Sequence, residues 1–428
     1  MSSPTAASLS TSVLSPELIQ KQDREILRGL AGKVSELAAR PLESEKRKLW
    51  HAHNDLKPVR PLIFCNPENG WNEIITPAQI QCEGGLAKQW EMVLRKEIFW
   101  ATRMGDDRVT EGFFNIGHVY TESDWGMHEE KVGGDHGGSY NWEPPLKSYS
   151  DFDKLRFPQI DVNQQATSDL INLAELAFGD LLKIRLKTSW WWTLGMTWTL
   201  ANMRGLERLM LDMYDEPENL HRIMAFLRDG HLAKLDFLEK NGLLCANFDG
   251  TYVGSGGFGY TNQLPQGDFD GSHVRTKDMW GFCESQETVG VAPEMFAEFI
   301  FPYQLPILER FGLNCYGCCE PLDKRWQHVK GAPRLRRVSV SPWADPEVMA
   351  GQLGGNYIFS SKLNPTHLAG PAMRKDQARA EIRKVLAAGR EHGCVIELIM
   401  KDTHTIGNNP ENLVQWCAIA REEIEKAS

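Results

Sequence analysis

Phe311-Gly-Leu-Asn-Cys-Tyr-Gly-Cys-Cys-Glu-Pro321 is a short apolar run that passes into a loop carrying two adjacent thiols and a carboxylate. The apolar run predicts a buried strand, and Gly317 and Pro321 indicate the loop after it. Thiolates and carboxylates in such a loop can bind a metal ion, and a thiolate can also act as a nucleophile. The same order of strand, polar loop and helix recurs along the chain and decides the predicted fold.

Five further apolar runs have the character of buried strands, and polar loops follow most of them. They lie at residues 60–65, 108–114, 336–341, 357–362 and 395–400. Strand–loop–helix units repeated every ~30–45 residues predict parallel strands surrounded by helices. We therefore predict an α/β fold, a (β/α)8 TIM barrel with its site at the carboxyl ends of the strands.

Several segments are predicted around and between these units. Residues 15–48 have helical spacing and form an N-terminal helical extension, so the chain divides into a tail and helix at 1–50 and one barrel domain at 55–428. Residues 115–160 show no period and are predicted to be an insertion or lid. The glycine-rich stretch 253–260 predicts a mobile loop at the mouth of the site. Helices are predicted at 86–104, 165–186 and 217–240, and a strand with its loop at 189–198.

The composition excludes some classes of function. The net charge is −10 and no basic run occurs, which argues against binding to nucleic acid or to an anionic membrane. No apolar run reaches the ~20 residues that span a bilayer, and the N-terminus lacks the pattern of a secretory signal. Nine scattered cysteines do not suggest a disulfide framework, so a reducing cytoplasm is predicted.

Five motifs lie in the order found in one known superfamily. They are Arg204-Gly-Leu-Glu207 with Tyr214-Asp-Glu-Pro217; Asp278-Met-Trp-Gly281; Val291-Ala-Pro-Glu-Met-Phe296 with Phe301-Pro-Tyr303; Ser339-Val-Ser-Pro-Trp-Ala-Asp345; and Ser361-Lys-Leu-Asn-Pro365. This order, over roughly residues 55–425, resembles the uroporphyrinogen decarboxylase superfamily. The resemblance implies the same (β/α)8 barrel.

Two departures indicate the branch of that superfamily. The true decarboxylases carry an arginine-rich loop after the first strand, whereas Asn66-Pro-Glu-Asn-Gly-Trp71 contains no arginine. The corrinoid-dependent methyltransferases carry His-x-Cys after one strand and a second Cys after the last; Tyr316-Gly-Cys318 and Lys401-Asp-Thr-His404 occupy those places. The resemblance thus implies a zinc-dependent methyltransferase. It would move a methyl group from a small methoxylated or methylated compound to a corrinoid (cobalamin) protein, as the O-demethylases do.

The resemblance and the residue types together give three sets of candidate site residues. The metal ligands are drawn from Cys318, Cys319, Glu320, Asp402 and His404, with Glu397 as a further carboxylate. The acid–base candidates are Glu284, Glu287, Asp345 and His404. The substrate-binding candidates are Asn66, Glu68, Trp71, Trp191, Trp192, Trp280, Tyr316 and Lys362, in which the indole rings would stack on an aromatic or sugar ring.

Two other functions remain open from the sequence. One is a metal-independent decarboxylase or lyase that uses Glu284, Asp345 and His404. The other is a non-catalytic protein that binds a corrinoid or another small ligand. The predicted partners are a small-molecule substrate and a corrinoid protein, without nucleic acid or membrane, and a homodimer is compatible with the sequence. The alternative without function is that the cysteines are small buried apolar residues.

Overall fold

The computed structural model of the chain describes residues 19–133 and 140–427. Six strands form one parallel sheet. In spatial order they are β1 (Leu62–Cys65), β12 (Val395–Met400), β11 (Ile358–Leu363), β10 (Leu335–Val340), β9 (Leu313–Tyr316) and β8 (Trp280–Cys283). Two more strands, β2 (Phe113–Ile116) and β7 (Lys183–Leu186), pair in parallel as a separate sheet. The predicted α/β fold with parallel strands is confirmed. Because the described strands lie in separate sheets, a closed eight-stranded barrel is not confirmed.

The segment predicted to be an insertion contains short antiparallel strands. β3 (Tyr120–Glu122) pairs with β6 (Ile160–Val162), and β4 (Glu130–Gly133) pairs with β5 (Tyr140–Glu143). Residues 134–139 of this segment lie outside the described residues.

Helices connect and cover the strands. They are α1 (Lys21–Ala38), α2 (Pro41–Asn54), α3 (Trp71–Ile74), α4 (Gly85–Phe99), α5 (Gln164–Phe178), α6 (Thr197–Arg204), α7 (Leu206–Asp215), α8 (Pro217–Lys240), α9 (Pro293–Phe299), α10 (Phe301–Leu308), α11 (Trp326–Val329), α12 (Pro346–Leu353), α13 (Lys375–Glu391) and α14 (Glu411–Ala427). In the described part of the chain, no helix is long and apolar enough to cross a membrane.

Several predicted elements differ from the structure, and the strand predicted at 108–114 is reduced to β2 at Phe113–Ile116. The predicted helix at 15–48 breaks into α1 and α2 because Arg40 precedes Pro41 and takes an extended conformation, as residues before proline prefer. The predicted helix at 165–186 ends at Phe178, and its last four residues form β7 instead. The strand predicted at 189–198 is irregular chain that leads into α6.

The six-stranded sheet is buried on both faces, as parallel sheets usually are. On β12, Ile396, Leu398 and Met400 belong to the large apolar core that also contains side chains of the helices. Ile399 points the other way and joins a smaller apolar cluster with Phe64 of β1. Alternation of side chains along a strand therefore divides β12 between two cores.

The glycine-rich segment is not a mobile loop at the mouth of the site, so this prediction is wrong. Residues 255–260 are all buried, and the segment lies against the face of the six-stranded sheet to which Ile399 points. Phe258 packs edge-on against Phe64 of β1, and Gly259 O accepts a hydrogen bond from the indole nitrogen of Trp280 in β8. Glycines allow this close approach, because a Cβ on Gly254 would lie 2.7 Å from the Cβ of Cys315.

A first prediction concerns two glycines with equally open surroundings. Gly29 lies in α1, is exposed, and has no atom within 4 Å of a built Cβ. We expect Gly29→Ala to stabilise the protein by about 0.5–1 kcal/mol, because alanine favours the helix. Gly105 has equally open space but a φ of +77°. Gly105→Ala is expected to cost about 1–2 kcal/mol. Urea unfolding would measure both changes, and a shift of the same sign in the two variants would contradict this account.

Candidate functional site

The loops that follow β1 and β12 are hydrogen-bonded to each other. Thr403 Oγ1 donates to Asn66 O at 2.8 Å, and Gly70 N donates to Thr403 O at 3.2 Å. In these loops Glu68 and Asp402 have φ values of +48° and +58°. Such left-handed backbone is costly for residues other than glycine and is concentrated at functional sites. The carboxyl ends of two neighbouring strands are thus joined at one place.

The thiol of Cys318 lies in this region and accepts two hydrogen bonds. Ser255 Oγ lies 3.2 Å from its Sγ, and Lys401 Nζ lies 3.4 Å from it. The Sγ of Cys319 is 3.6 Å away. The hydrogen bond with Cys319 and the charge of Lys401 lower the pKa of Cys318 although burial opposes them. The pKa of Cys319 is raised, so Cys318 is the member of the pair that favours the thiolate.

Lys401 is the positive group of the site. Its side chain is buried, and Nζ also contacts Ser255 Oγ at 3.1 Å and Asp402 Oδ1 at 3.2 Å. Burial alone would lower the pKa of Lys401, but nearby acidic groups, with Tyr252 and Cys318 first among them, outweigh burial and raise it. The ammonium form is therefore favoured within this cluster.

Three substrate-binding candidates are near the same cluster. Glu68 is mostly buried, and burial raises the pKa of its carboxyl in spite of the nearby Lys401. The amide nitrogen of Asn66 lies 3.5 Å from Glu68 Oε1. Lys362 is buried and donates to Ser360 Oγ at 2.5 Å. Burial lowers the pKa of Lys362 to about 8.

The predicted zinc ligands are not arranged to hold a metal ion. The oxygens of Glu320 accept backbone hydrogen bonds from Ser285 and Cys318, both at 2.9 Å. His404 is exposed, and Glu397 is paired with Arg337. Within the described ranges, the one group of three or more potential ligands with all ligand atoms within 4.8 Å is Glu347, Glu391 and His392, which are exposed.

The contacts of Lys401 argue further against zinc at this site. Its ammonium lies within hydrogen-bonding distance of both Cys318 Sγ and Asp402 Oδ1, two of the predicted ligands. The Cys319 thiol donates to the other oxygen of Asp402 at 3.5 Å. The residues that are present therefore do not fit the predicted zinc ion.

Glu284, which is buried, and Glu287, which is half-buried, form a carboxyl pair after β8. Glu284 Oε2 accepts from Gln286 N at 2.9 Å, and among the described residues its Oε1 has no hydrogen-bond partner. Burial first, and then the nearby Glu287 and Glu320, raise the pKa of Glu284 well above its ordinary value. Burial also raises the pKa of Glu287, which accepts from Thr197 Oγ1 at 2.7 Å. A carboxyl in this environment favours the protonated form and can donate a proton.

Two acid–base candidates have other surroundings. Asp345 is exposed, and its carboxylate accepts from Glu347 N at 2.9 Å as the N-cap of α12. His404 is also exposed. The surroundings of Glu284 and Glu287 therefore favour proton donation more than those of these two exposed residues.

Three aromatic residues that were predicted to line a pocket are buried in packed cores. Trp71 packs against Phe99 and Trp100. Trp280 donates its indole N–H into the glycine-rich segment, and Tyr316 OH donates to Gln304 Oε1 at 2.6 Å. Their apolar surface is used in packing, so these rings are not open to a ligand. Trp191 and Trp192 are half-buried, and they pack against Phe311 and Phe282 while part of each ring stays accessible.

Two residues at the centre of the cluster were not among the predictions. Lys401 directly follows the last strand, and its position in the sequence was a signal that could have identified it. Ser255 lies in the glycine-rich segment, 63 positions before Cys318, and no local pattern connects the two. Both are brought to the thiol by the fold.

Comparisons with known proteins support the fold alone. No family profile and no curated protein matches the sequence. A solved structure described as a methyltransferase from Methanosarcina mazei superposes with a TM-score of 0.53 at 12% sequence identity. The match covers 89% of this chain and 98% of that one. The chain therefore shares the overall fold of that structure.

Proposed function

We propose that this protein is a methyltransferase that moves a methyl group from a small methoxylated or methylated compound to a corrinoid held by a separate protein. The observation that carries the proposal is the buried thiol of Cys318, which follows β9 and accepts hydrogen bonds from Lys401 after β12 and from Ser255 of the glycine-rich segment. The motif order, the loop at 66–71 without arginine, and the likeness to a methyltransferase fold support it.

The chemistry of demethylation is compatible with the charged groups of the site. When a methyl group leaves an ether, negative charge develops on the oxygen, and a nearby cation or acid stabilises it. The Lys401 ammonium and the carboxyl of Glu284 are the two groups that can do this. No step depends on zinc, and we assign no residue of this chain to hold the corrinoid.

The test combines purified protein, a panel of methoxylated aromatic and aliphatic compounds, and cobalamin reduced to Co(I). Demethylated product is measured by mass spectrometry and methylcobalamin by its absorbance. We expect both products with at least one donor, and Cys318→Ser to lower the rate by about 100-fold or more. Cys394→Ser is the matched control, because Cys394 is half-buried and hydrogen-bonded to Ala350 O. Absence of demethylation with every donor would contradict the proposal.

A decarboxylase or lyase is the second candidate, and the carboxyl pair of the buried Glu284 and the half-buried Glu287 favours it. A protonated carboxyl with an unpaired oxygen can deliver a proton to a carbanion formed on loss of carbon dioxide. Turnover of a carboxylic substrate without any corrinoid, abolished by Glu284→Gln, would favour this activity over methyl transfer.

A further inference from the structure

We propose that Cys318 receives the methyl group on its own sulfur, and that the ammonium of Lys401 supplies the positive charge for which the predicted zinc ion would be needed. This inference rests on the proposed function, and it changes Cys318 from a metal ligand into the nucleophile. It also assigns Lys401 as a catalytic residue.

The Lys401 ammonium lies where a zinc ion on Cys318 would be repelled. Lys401 Nζ lies 3.4 Å from Cys318 Sγ and 3.2 Å from Asp402 Oδ1. A zinc ion bound to that sulfur at about 2.3 Å would lie no farther than about 6 Å from a buried positive charge. Like charges this close inside a protein repel strongly. Lys401 thus already places a positive charge beside both the Cys318 sulfur and the Asp402 carboxylate.

Two hydrogen-bond donors act on the sulfur of Cys318. Ser255 Oγ–H and the Lys401 ammonium both point at Sγ, and Ser255 is itself 3.1 Å from Nζ. Hydrogen bonds and positive charge favour the thiolate, which is the nucleophilic form of cysteine. The titratable groups that interact electrostatically with Cys318 or Lys401 include basic and acidic side chains. They are Lys362, Glu68, Tyr252, Glu284, Cys319, Glu320 and Asp402.

Cys318 differs from its neighbour Cys319. The Cys319 thiol lies 3.6 Å from Cys318 Sγ and 3.5 Å from Asp402 Oδ2, and its one proton can be donated to either acceptor, so Cys319 is the protonated member of the pair. Cys315 is buried beside Arg337, within the inner face of the sheet. Of the three sulfurs in this stretch, Cys318 alone contacts Lys401 in the described structure.

The reaction is a nucleophilic displacement at the methyl carbon. Sγ of Cys318 attacks the carbon, the sulfur–carbon bond forms, and the carbon–oxygen bond breaks with its electron pair on oxygen. The resulting alkoxide or phenoxide takes a proton from the Lys401 ammonium and leaves as the neutral alcohol or phenol. The methyl acceptor then attacks the S-methyl group with its own electron pair, which restores the thiolate. Lys401 regains its proton from water.

The experiment uses methyl iodide and needs neither the natural donor nor the acceptor. Protein is incubated at a fixed pH near neutrality, and the methylation of each cysteine is followed by peptide mass spectrometry. We expect Cys318 to be methylated at least about tenfold faster than Cys394, a half-buried cysteine that is hydrogen-bonded to Ala350 O and has Glu347 rather than a lysine as its charged neighbour. Lys401→Met is expected to abolish this advantage, and Lys401→Arg to retain most of it.

Two further measurements keep the inference testable if Lys401→Met does not fold. Lys401→Gln retains a hydrogen-bond donor without the charge, and it is expected to slow methylation of Cys318 in the same way. Metal analysis of the wild-type protein is expected to find no zinc that depends on Cys318. Stoichiometric zinc that is lost in Cys318→Ser, or methylation of Cys318 at the rate of the other cysteines, would overturn the inference.

The inference and the proposed function can fail separately. If Cys318→Ala demethylates a donor with full activity, the protein is a methyltransferase but Cys318 is not its nucleophile. Fast, Lys401-dependent methylation of Cys318 without demethylation of any natural donor would support Cys318 as a nucleophile and contradict the proposed methyltransferase activity.

Discussion

Glu397→Gln is expected to lower the free energy of unfolding by about 3–5 kcal/mol, because it leaves a buried charge without its partner. Glu397 is fully buried in β12 and accepts hydrogen bonds from Arg337 Nε at 2.9 Å and from His53 Nε2 at 3.1 Å. Arg337, also buried, donates to Asn54 Oδ1 at 2.7 Å and lies over the ring of Trp280. The substitution would leave its guanidinium without a negative group in a space closed to water.

Chemical denaturation measures this loss, and two controls define it. Arg28→Met breaks the exposed ion pair with Asp180 and is expected to cost less than about 1 kcal/mol. Combining Arg337→Met with Glu397→Gln removes both charges and is expected to cost less than the two single changes added together. A loss of stability in Glu397→Gln no larger than in Arg28→Met would show that the buried pair contributes little.

The same pair predicts a dependence of stability on pH. Burial would raise the pKa of Glu397, but Arg337 and the hydrogen bond from His53 outweigh it and bring the pKa to about 2. The ordinary value for glutamate is about 4.3, so the unfolded chain binds this proton first as pH falls. The contribution of Glu397 is complete above that ordinary value and is lost as pH falls toward 2. Stability of Glu397→Gln should therefore fall less steeply over this window than that of the wild type.

Gly257→Ala is expected to destabilise the protein by about 3 kcal/mol, from a left-handed backbone and an overpacked interior together. Gly257 has a φ of +85°, and a Cβ built on it lies 2.7 Å from Arg337 Nη2 and 2.8 Å from Glu397 Oε2. These atoms belong to the buried ion pair and have little freedom to move aside.

Gly267→Ala is the matched control for this change. A Cβ on Gly267 meets no atom within 4 Å, and its φ lies outside the left-handed range. We expect its effect on the urea midpoint to be small, since exposed changes away from special features are usually within about 0.5 kcal/mol. Equal midpoints for Gly257→Ala and the wild type would mean that the glycine-rich segment can leave the sheet at little cost.

The strands that the sequence predicted well are the ones buried on both faces. The predicted strand at 395–400 coincides with β12, and those at 336–341 and 357–362 agree with β10 and β11 within one residue. Such strands are continuous apolar runs and stand out in the sequence. The two end residues of β7 (Lys183–Leu186) are exposed. Its polar and apolar residues continue the helical pattern that precedes them, so the sequence predicted a helix there instead of a strand. The separation of β2 and β7 from the main sheet depends on packing that no local pattern contains.

The candidate site was predicted in part. The position of Cys318 at a strand end follows from local sequence, since an apolar run gives way to glycine there. Its partners Lys401 and Ser255 lie 83 and 63 positions away, and only the fold brings them to the sulfur. The expectation that Trp280 and Tyr316 face a ligand failed because an aromatic residue near a strand end can equally fill the core.

The position of the glycine-rich segment across the sheet also affects how the chain folds. Asn54 donates to the carbonyl oxygens of Phe258 and Tyr260 across 204 and 206 positions, and Arg337 reaches Asn54 across 283. Contacts so distant in sequence close long loops and slow folding. Backbone amides such as Gly259 N, bonded to Thr251 O, are therefore expected to exchange with deuterium only when the whole sheet opens. Ser255 belongs to this segment, so we expect its hydrogen bond to the Cys318 thiol to form late in folding.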